Sequence, residues 1–364
     1  MKEKKRIIYF TKHTEAGPSS RYRSYAYHQF LKENGFEILV CPLFPSAYLK
    51  QFYRTGKKPW LLTAFAYARR FLQLLFLKRY DILYIEYELF PYLPFSFEKW
   101  GLRKGRPFVM DYDDAIFHNY DKSKIEWIKE KCGEKIQQLV AGANLVITGS
   151  PYLTRWMLPY AKEVIEIPTS ISLQTYSATP AAQLPGEEKT LFRIGWIGSP
   201  TTSPFVLQVK DCLRQLQELY HCQLVLIGFD KKLEKELAGL QYINYPWQSD
   251  TEIALLKTCD VGIMPLPNEP FAMGKCGFKL IQYMACALPT VSTPVEANIK
   301  INHGGENLFA NTTFEWYSCL SAIIQNQSFY KEVGEKNKAL VTEYYSVENN
   351  RMRYLSLIQN LVDK

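Results

Sequence analysis

The chain of 364 residues is 47% hydrophobic and 22% charged, which excludes a disordered polypeptide and suits two globular domains of ordinary size. Its 44 Lys and Arg outnumber 36 Asp and Glu for a net charge of +8, and residues 1–170 carry the surplus, with 27 basic and 17 acidic side chains. The eight cysteines form no CxxC pair and no zinc-ligand spacing, so neither a disulfide framework nor a zinc module is expected, and free thiols suit a reduced, cytoplasmic setting.

From Met1 to Arg6 the chain is polar, and the apolar run that follows is four residues long, too short for a secretory signal. Strand-like runs at 6–10, 37–41, 81–86, 106–110, 144–148 and 164–168 alternate with helical patterns near 21–34, 60–78, 92–104, 123–140 and 150–161. Such alternation predicts a parallel sheet with helices on both faces. The stretch 60–77 is strongly apolar, but Arg69 and Arg70 interrupt it and argue against a membrane span. It reads as a buried helix or as one lying on an anionic membrane, because residues 48–80 hold eight basic and no acidic side chains.

Residues 170–189, rich in Ser, Thr, Ala, Pro and Gln without apolar periodicity, are expected to connect two domains. The alternation then restarts, with strands expected at 191–197, 223–227, 260–264 and 289–292. The fold class is therefore α/β, with two Rossmann-like domains facing a central cleft. The first spans 1–169 and the second 170–346. A last helix, 347–364, carries Met352, Leu355, Ile358, Leu361 and Val362 at helical spacing and is expected to return to the first domain.

Two segments of the second domain have the chemistry of an anion site. In Gly195-Trp-Ile-Gly198-Ser199-Pro-Thr201-Thr202-Ser203 a strand ends, a turn of small residues follows and a helix begins. Backbone N–H groups and the helix dipole favour negative charge there, and Ser199, Thr201 and Thr202 add hydroxyls that either donate to a ligand or cap the helix. Further on, a loop with Glu269, Gly274 and Lys275 leads into a helix opening at Gly277, with Phe278, Lys279 and Gln282 in its first turns. Lys279 and Gln282 stand i,i+3, a cation for phosphate beside an amide for a hydroxyl, unless they are merely a solvated lysine and a surface glutamine. In the first domain, Asp111-Tyr-Asp113-Asp114 ends a strand. Its carboxylates suit hydroxyl recognition or proton uptake, Mg²⁺ ligation, or capping of the next turn.

The run 262–292 resembles the donor-site signature of family 4 retaining glycosyltransferases and their relatives, which have the two-domain GT-B fold; Tyr283-Met-Ala-Cys-Ala-Leu-Pro289-Thr-Val-Ser292 is similar to their EYMAxGLPVV unit. Pro18-Ser-Ser-Arg21-Tyr-Arg23, Glu86-Tyr-Glu88-Leu-Phe-Pro91, Asp111–Phe117 and Ile167-Pro-Thr169 resemble further segments of the same group in the same order. The resemblance implies sugar transfer, with retention of configuration, from a UDP- or GDP-linked donor to a glycan or lipid-linked acceptor in polysaccharide or glycoconjugate assembly. It implies no metal, no other cofactor and no nucleic-acid partner; the basic surplus of residues 1–170 and of 48–80 adds an anionic membrane surface, at the inner face of the membrane, as an expected partner. Nucleotide and phosphate would be held by Gly198, Ser199, Thr201, Thr202, Gly277, Phe278, Lys279 and Gln282, and the donor sugar by Glu269 and Lys275. Arg21, Arg23 and Glu88 would meet the acceptor, and Asp113, Asp114 and Lys275 would be the catalytic groups.

Departures from the family pattern matter. Gly274 and Gln282 stand where the family has Glu-x7-Glu, and the Lys279-x-x-Gln282 spacing resembles that of bacterial glucuronosyltransferases of polysaccharide assembly. The usual Arg and Lys after the first strand of the second domain are replaced by Ser199-Pro-Thr-Thr202, which shifts the phosphate charge to Lys275 and Lys279, helped by Arg21 or Arg23. The nearest histidine, His118, lies beyond the aspartate turn and takes no catalytic role. A nucleotide-sugar epimerase of the same fold and a non-catalytic nucleotide-sugar-binding subunit remain the alternatives.

Overall fold

A computed structural model describes residues 4–77, 79–103, 105–183 and 191–363. The chain divides into two compact units: the first is Met1–Ser170 with Met273–Cys276 and Asn350–Lys364, the second Ile171–Ala272 with Gly277–Asn349.

The sheet of the first unit has strands β1 (Lys5–Phe10), β2 (Phe36–Val40), β3 (Ile82–Glu86), β4 (Phe108–Tyr112), β5 (Leu145–Thr148) and β6 (Val164–Glu166), in the order β2-β1-β3-β4-β5-β6. All neighbours are parallel. Every residue of β3, β4 and β5 is buried, which is why these segments read as unbroken apolar runs rather than alternating ones. Ile8, Phe10, Ile85, Met110 and Val146 pack one core with Leu74, Ile136, Leu139, Leu153 and Met157 from the covering helices. The expected helix at 123–140 is two, Glu126–Cys132 and Lys135–Gly142, and the one at 21–34 opens with a π-helical turn, Ser20–Tyr25. A helix at Ser46–Thr55 was not expected.

The second unit has β7 (Phe192–Ile197), β8 (Cys222–Ile227), β9 (Tyr242–Tyr245), β10 (Val261–Met264), β11 (Thr290–Ser292) and β12 (Leu308–Phe309), in the order β12-β11-β10-β7-β8-β9. These neighbours are also parallel. Counted from β7, this is the doubly wound order of dinucleotide-binding sheets. In each sheet the winding reverses beside the first strand, between β1 and β3 and between β7 and β10. Ligands of such sheets bind outside the carboxyl ends of the strands at that reversal. Of the expected connection at 170–189, Leu173–Ala178 is a helix, and residues 184–190 lie outside the described ones.

The last helix, Val347–Asp363, contributes Tyr354 to the first unit: its ring stacks on Tyr27 at 4.4 Å, and its hydroxyl lies 3.3 Å from that of Tyr9. Leu355, Ile358 and Leu361 are buried, whereas Met352 is 61% exposed and takes no part. No helix among the described residues is long and apolar enough to cross a membrane.

Candidate active site

At the reversal of the second sheet, β7 ends in Trp196-Ile197 and the chain turns at Gly198. A Cβ there would overlap the Trp196 ring and crowd the Lys279 ammonium, so only glycine lets the backbone pass. The turn is closed from within: Ser199 N–H donates to Thr202 Oγ1 at 3.2 Å, and Ser199 O accepts from Thr202 N–H at 2.9 Å and from Ser203 Oγ at 3.2 Å. Ser199 and Thr201 hydroxyls pair at 2.8 Å. The helix that follows starts as a 3-10 segment, Ser203–Val209, before the α-helix Lys210–Leu219.

Lys279 reaches this turn from the helix Phe278–Ala285. Its Nζ lies 3.5 Å from Thr202 Oγ1 and 4.3 Å from the centre of the Trp196 ring. The helix opens at Gly277 with φ 65°, a left-handed conformation that disfavours side chains, and a Cβ there would also overlap Ile301. One turn beyond Lys279, the Tyr283 hydroxyl accepts from Ile197 N–H at 3.1 Å and donates to Ile263 O at 3.0 Å. Tyr283 thus fixes the helix against the ends of both reversal strands, and the ammonium follows. Phe278 and Lys279 are half-buried, but Leu280–Ala285 are all buried. Gln282, expected to share an open face with Lys279, is 4% exposed, because this helix is covered on every side after its first turn. Glu269 stands exposed in the preceding loop. Trp196 Nε1 and Asn298 Oδ1, buried beside the turn and beside Gly277, have no hydrogen-bond partner among the described residues. Neither was singled out from the sequence, where nothing distinguishes an orphaned indole or amide from a satisfied one.

The first unit gathers carboxylates at its own reversal. Glu86, the last residue of β3, is buried and accepts from Ser20 Oγ at 2.7 and 3.0 Å and from Lys12 N–H at 3.3 Å. Burial raises its pKa to about 8, Asp113 and Asp111 add to the rise, and the Ser20 and Lys12 donors oppose it. A charge ending the apolar strand Ile-Leu-Tyr-Ile-Glu86 was the available signal. Asp111 holds Arg23 through Nε at 2.9 Å and Nη2 at 2.5 Å, and accepts from Tyr84 OH at 2.7 Å. Asp113 accepts from Tyr87 OH, and Cys276 S–H donates to its carbonyl at 2.8 Å. Asp114 pairs with Lys275 Nζ at 2.8 Å; burial pushes its carboxyl pKa up, and Lys275 works against the rise. The three aspartates thus face three different partners. No group of three or more His, Cys, Asp or Glu placed to hold a metal occurs among the described residues.

Two residues expected to meet the acceptor, Arg23 and Glu88, are buried in the first unit. Arg23 is 5% exposed, and its third nitrogen, Nη1, goes to Ile167 O at 2.9 Å, so every nitrogen is committed inside the fold. Burial opposes its charge, but Asp111 beside it raises the guanidinium pKa above the ordinary arginine value. Glu88 is 7% exposed, paired at 2.7 Å with Lys135, which also holds Glu98 at 2.9 Å. Arg21, two residues before Arg23, is half-buried with its guanidinium 5.1 Å from the Tyr22 ring centre. Gly274, where the resembled family has its first acid, lies against Ala115, and a Cβ would overlap that methyl group.

Residues 192–326 match the family model described as Glycosyl transferases group 1. No curated relative matches the chain. Among solved structures, sucrose-phosphate synthase from Thermosynechococcus elongatus superposes with a TM-score of 0.69 at 14% identity, covering 98% of this chain and 99% of that one. An E. coli trehalose-6-phosphate protein bound to UDP-2-fluoro glucose gives 0.68 at 13% identity, covering 99% of each chain. Anabaena HepE in complex with UDP-glucose gives 0.64 at 14%, covering 98% and 100%. At such identities these likenesses show the fold alone, two Rossmann-like domains of GT-B type, and residues 192–326 are similar to the group 1 glycosyltransferases.

Proposed function

We propose that the chain moves a sugar from a UDP- or GDP-sugar to a glycan or lipid-linked acceptor at an anionic membrane surface in the cytoplasm, with retention of configuration and without a metal ion. The observation that carries the reading is the convergence of the Lys279 ammonium, the Gly198 turn and the N-terminus of Phe278–Ala285 at the reversal of the second sheet. It is supported by UDP or a UDP-sugar in the HepE and trehalose-6-phosphate structures.

In this scheme the diphosphate lies over Gly198, Ser199, Thr201, Thr202, Gly277 and Phe278, with its developing charge met by Lys279. As the bond from the anomeric carbon to the phosphate oxygen breaks, that charge is what the site must stabilise. The acceptor hydroxyl oxygen attacks the same face, and its proton passes to the departing phosphate oxygen. Asp113 and the Asp114–Lys275 pair orient the acceptor hydroxyl, Glu269 meets the donor sugar, and Arg21 the acceptor. Gln282 meets the nucleotide, and Arg23 and Glu88 hold Asp111 and Lys135 from within the fold.

Calorimetric titration with UDP and GDP in EDTA is expected to show binding of one nucleotide. Lys279→Ala should weaken it by about 1.5–3 kcal/mol, the range for a hydrogen bond to a charged group. Binding that appears only on adding Mg²⁺ or Mn²⁺, or an affinity untouched by the substitution, would refute the assignment. Nucleotide release from the sugar donor that depends on added acceptor separates transfer from epimerisation and from a non-catalytic binding role.

A further inference from the structure

The helix Trp60–Leu75 turns its apolar side outward. Leu61, Phe65, Leu72 and Leu75 recur at helical spacing on one face and are 64%, 61%, 51% and 43% exposed, and Trp60 and Phe76 at the two ends are each 73% exposed. The arginines that interrupt the run point the other way. Arg70 is 1% exposed, donates to Cys41 O at 3.0 Å and Thr11 O at 3.2 Å, and lies 4.6 Å from the Phe10 ring centre. Arg69 donates to Pro42 O at 2.6 Å and Leu43 O at 2.9 Å. With both charges absorbed by backbone carbonyls, the outer face carries none over the helix length of about 24 Å. Phe71 stacks on Trp100 at 4.3 Å, which joins this face to the exposed Phe97 on the helix Phe95–Gly101. Contiguous exposed apolar surface of this kind marks an interaction site.

The charge around it has one sign. Lys50, Arg54, Lys57 and Lys58 are exposed on the segment leading into the helix, and Arg79 and Arg103 on the segments beyond Leu75 and Gly101. No acidic residue occurs between 38 and 80, and Glu98 is buried. A second copy seated on this face would set like charges against like. An anionic leaflet complements both parts, apolar face in the acyl boundary and ammonium groups at the headgroups.

We infer that this face docks the first unit on an anionic bilayer, with the helix axis in the plane of the membrane. The inference deepens the proposed function by naming the surface that meets the acceptor's membrane, and for that purpose it rests on that reading. The test is co-sedimentation of the full chain with vesicles of phosphatidylglycerol and phosphatidylcholine in equal parts, with nucleotide binding measured alongside. The parent should sediment with these vesicles at low salt and much less with phosphatidylcholine alone. Leu61→Ser/Phe65→Ser/Leu72→Ser, confined to exposed positions, should lose binding at every salt concentration. Lys57→Glu/Lys58→Glu should lower the partition coefficient roughly tenfold or more at low salt. Both variants should keep the nucleotide affinity of the parent. A parent left in the supernatant, or a serine variant that sediments like it, overturns the proposal. So does a dimer without vesicles that the same variant dissociates, which would give the face to a second copy. Vesicle binding by a parent with no nucleotide affinity would uphold the docking and refute the proposed function.

Discussion

Glu86 keeps its proton to about pH 8 inside the first unit, while the unfolded chain releases it near 4.5. A raised folded-state pKa contributes stability that is full below the unfolded value and is lost as pH rises through the folded one. Glu86→Gln removes that dependence. The variant should gain on the parent by about 1–4 kcal/mol between pH 5 and pH 8.5, followed by thermal or urea denaturation. Parallel stability profiles for the two proteins would mean that the carboxyl ionises normally. Arg23, Glu88 and Gln282 teach a related lesson at this scale. Their spacing and their likeness to family motifs mark them for notice, but spacing does not say which way a side chain faces. Each is buried, Arg23 against Asp111 and Glu88 against Lys135. Lys279 drew notice because it stands two residues after Gly277, where a helix opens; Trp196 and Asn298 did not, because their orphaned atoms exist only in three dimensions.

At the scale of elements, the last helix offers the sharpest contrast between two of its own residues. Tyr354 is 1% exposed between Tyr27, Tyr9 and Tyr84, and Met352 two positions earlier is 61% exposed. Tyr354→Ala should cost about 3–5 kcal/mol, the range for truncating a large buried aromatic, against less than about 0.5 for Met352→Ser. Equal urea midpoints for the two variants would show that the helix does not stabilise the first unit. Strands were legible where both faces are covered, since such segments are apolar throughout. Tyr242–Tyr245 and Leu308–Phe309 escaped notice because they are short, half-buried edge strands at the two ends of the second sheet. Ser46–Thr55 escaped because only Tyr48 and Leu49 of its ten residues are buried, which leaves little periodicity to see.

For the whole molecule, the two sheets give every thiol a place to hide. Cys41, Cys132, Cys212, Cys222, Cys259, Cys276 and Cys286 are buried and Cys319 is half-buried, all free. Burial pushes the Cys212, Cys259 and Cys286 thiols up to about 12. A thiol-disulfide reagent at mild alkaline pH should therefore label Cys319 at most in the native protein and all eight cysteines in denaturant. Rapid native labelling of several would contradict the packing described. The alternation of strands and helices made the doubly wound class legible in the sequence, and the motif at 262–292 lies inside the segment that the group 1 glycosyltransferase model matches. The place of Met273–Cys276 in the first unit was not legible, because nothing in these four residues announces that their neighbours are Asp113, Asp114 and Ala115.

That Tyr354 closes the first unit also sets an order of events during synthesis. The sheet β1–β6 is complete once residue 166 has emerged, yet the rings of Tyr9, Tyr27 and Tyr84 wait for a side chain translated almost two hundred residues later. At typical elongation rates that gap lasts roughly ten to forty seconds. The second unit, whose segments lie wholly between residues 171 and 349, has all its parts outside the ribosome first. The nascent chain therefore carries an uncapped aromatic seam through most of its translation, and the half that is made first is the half that is finished last.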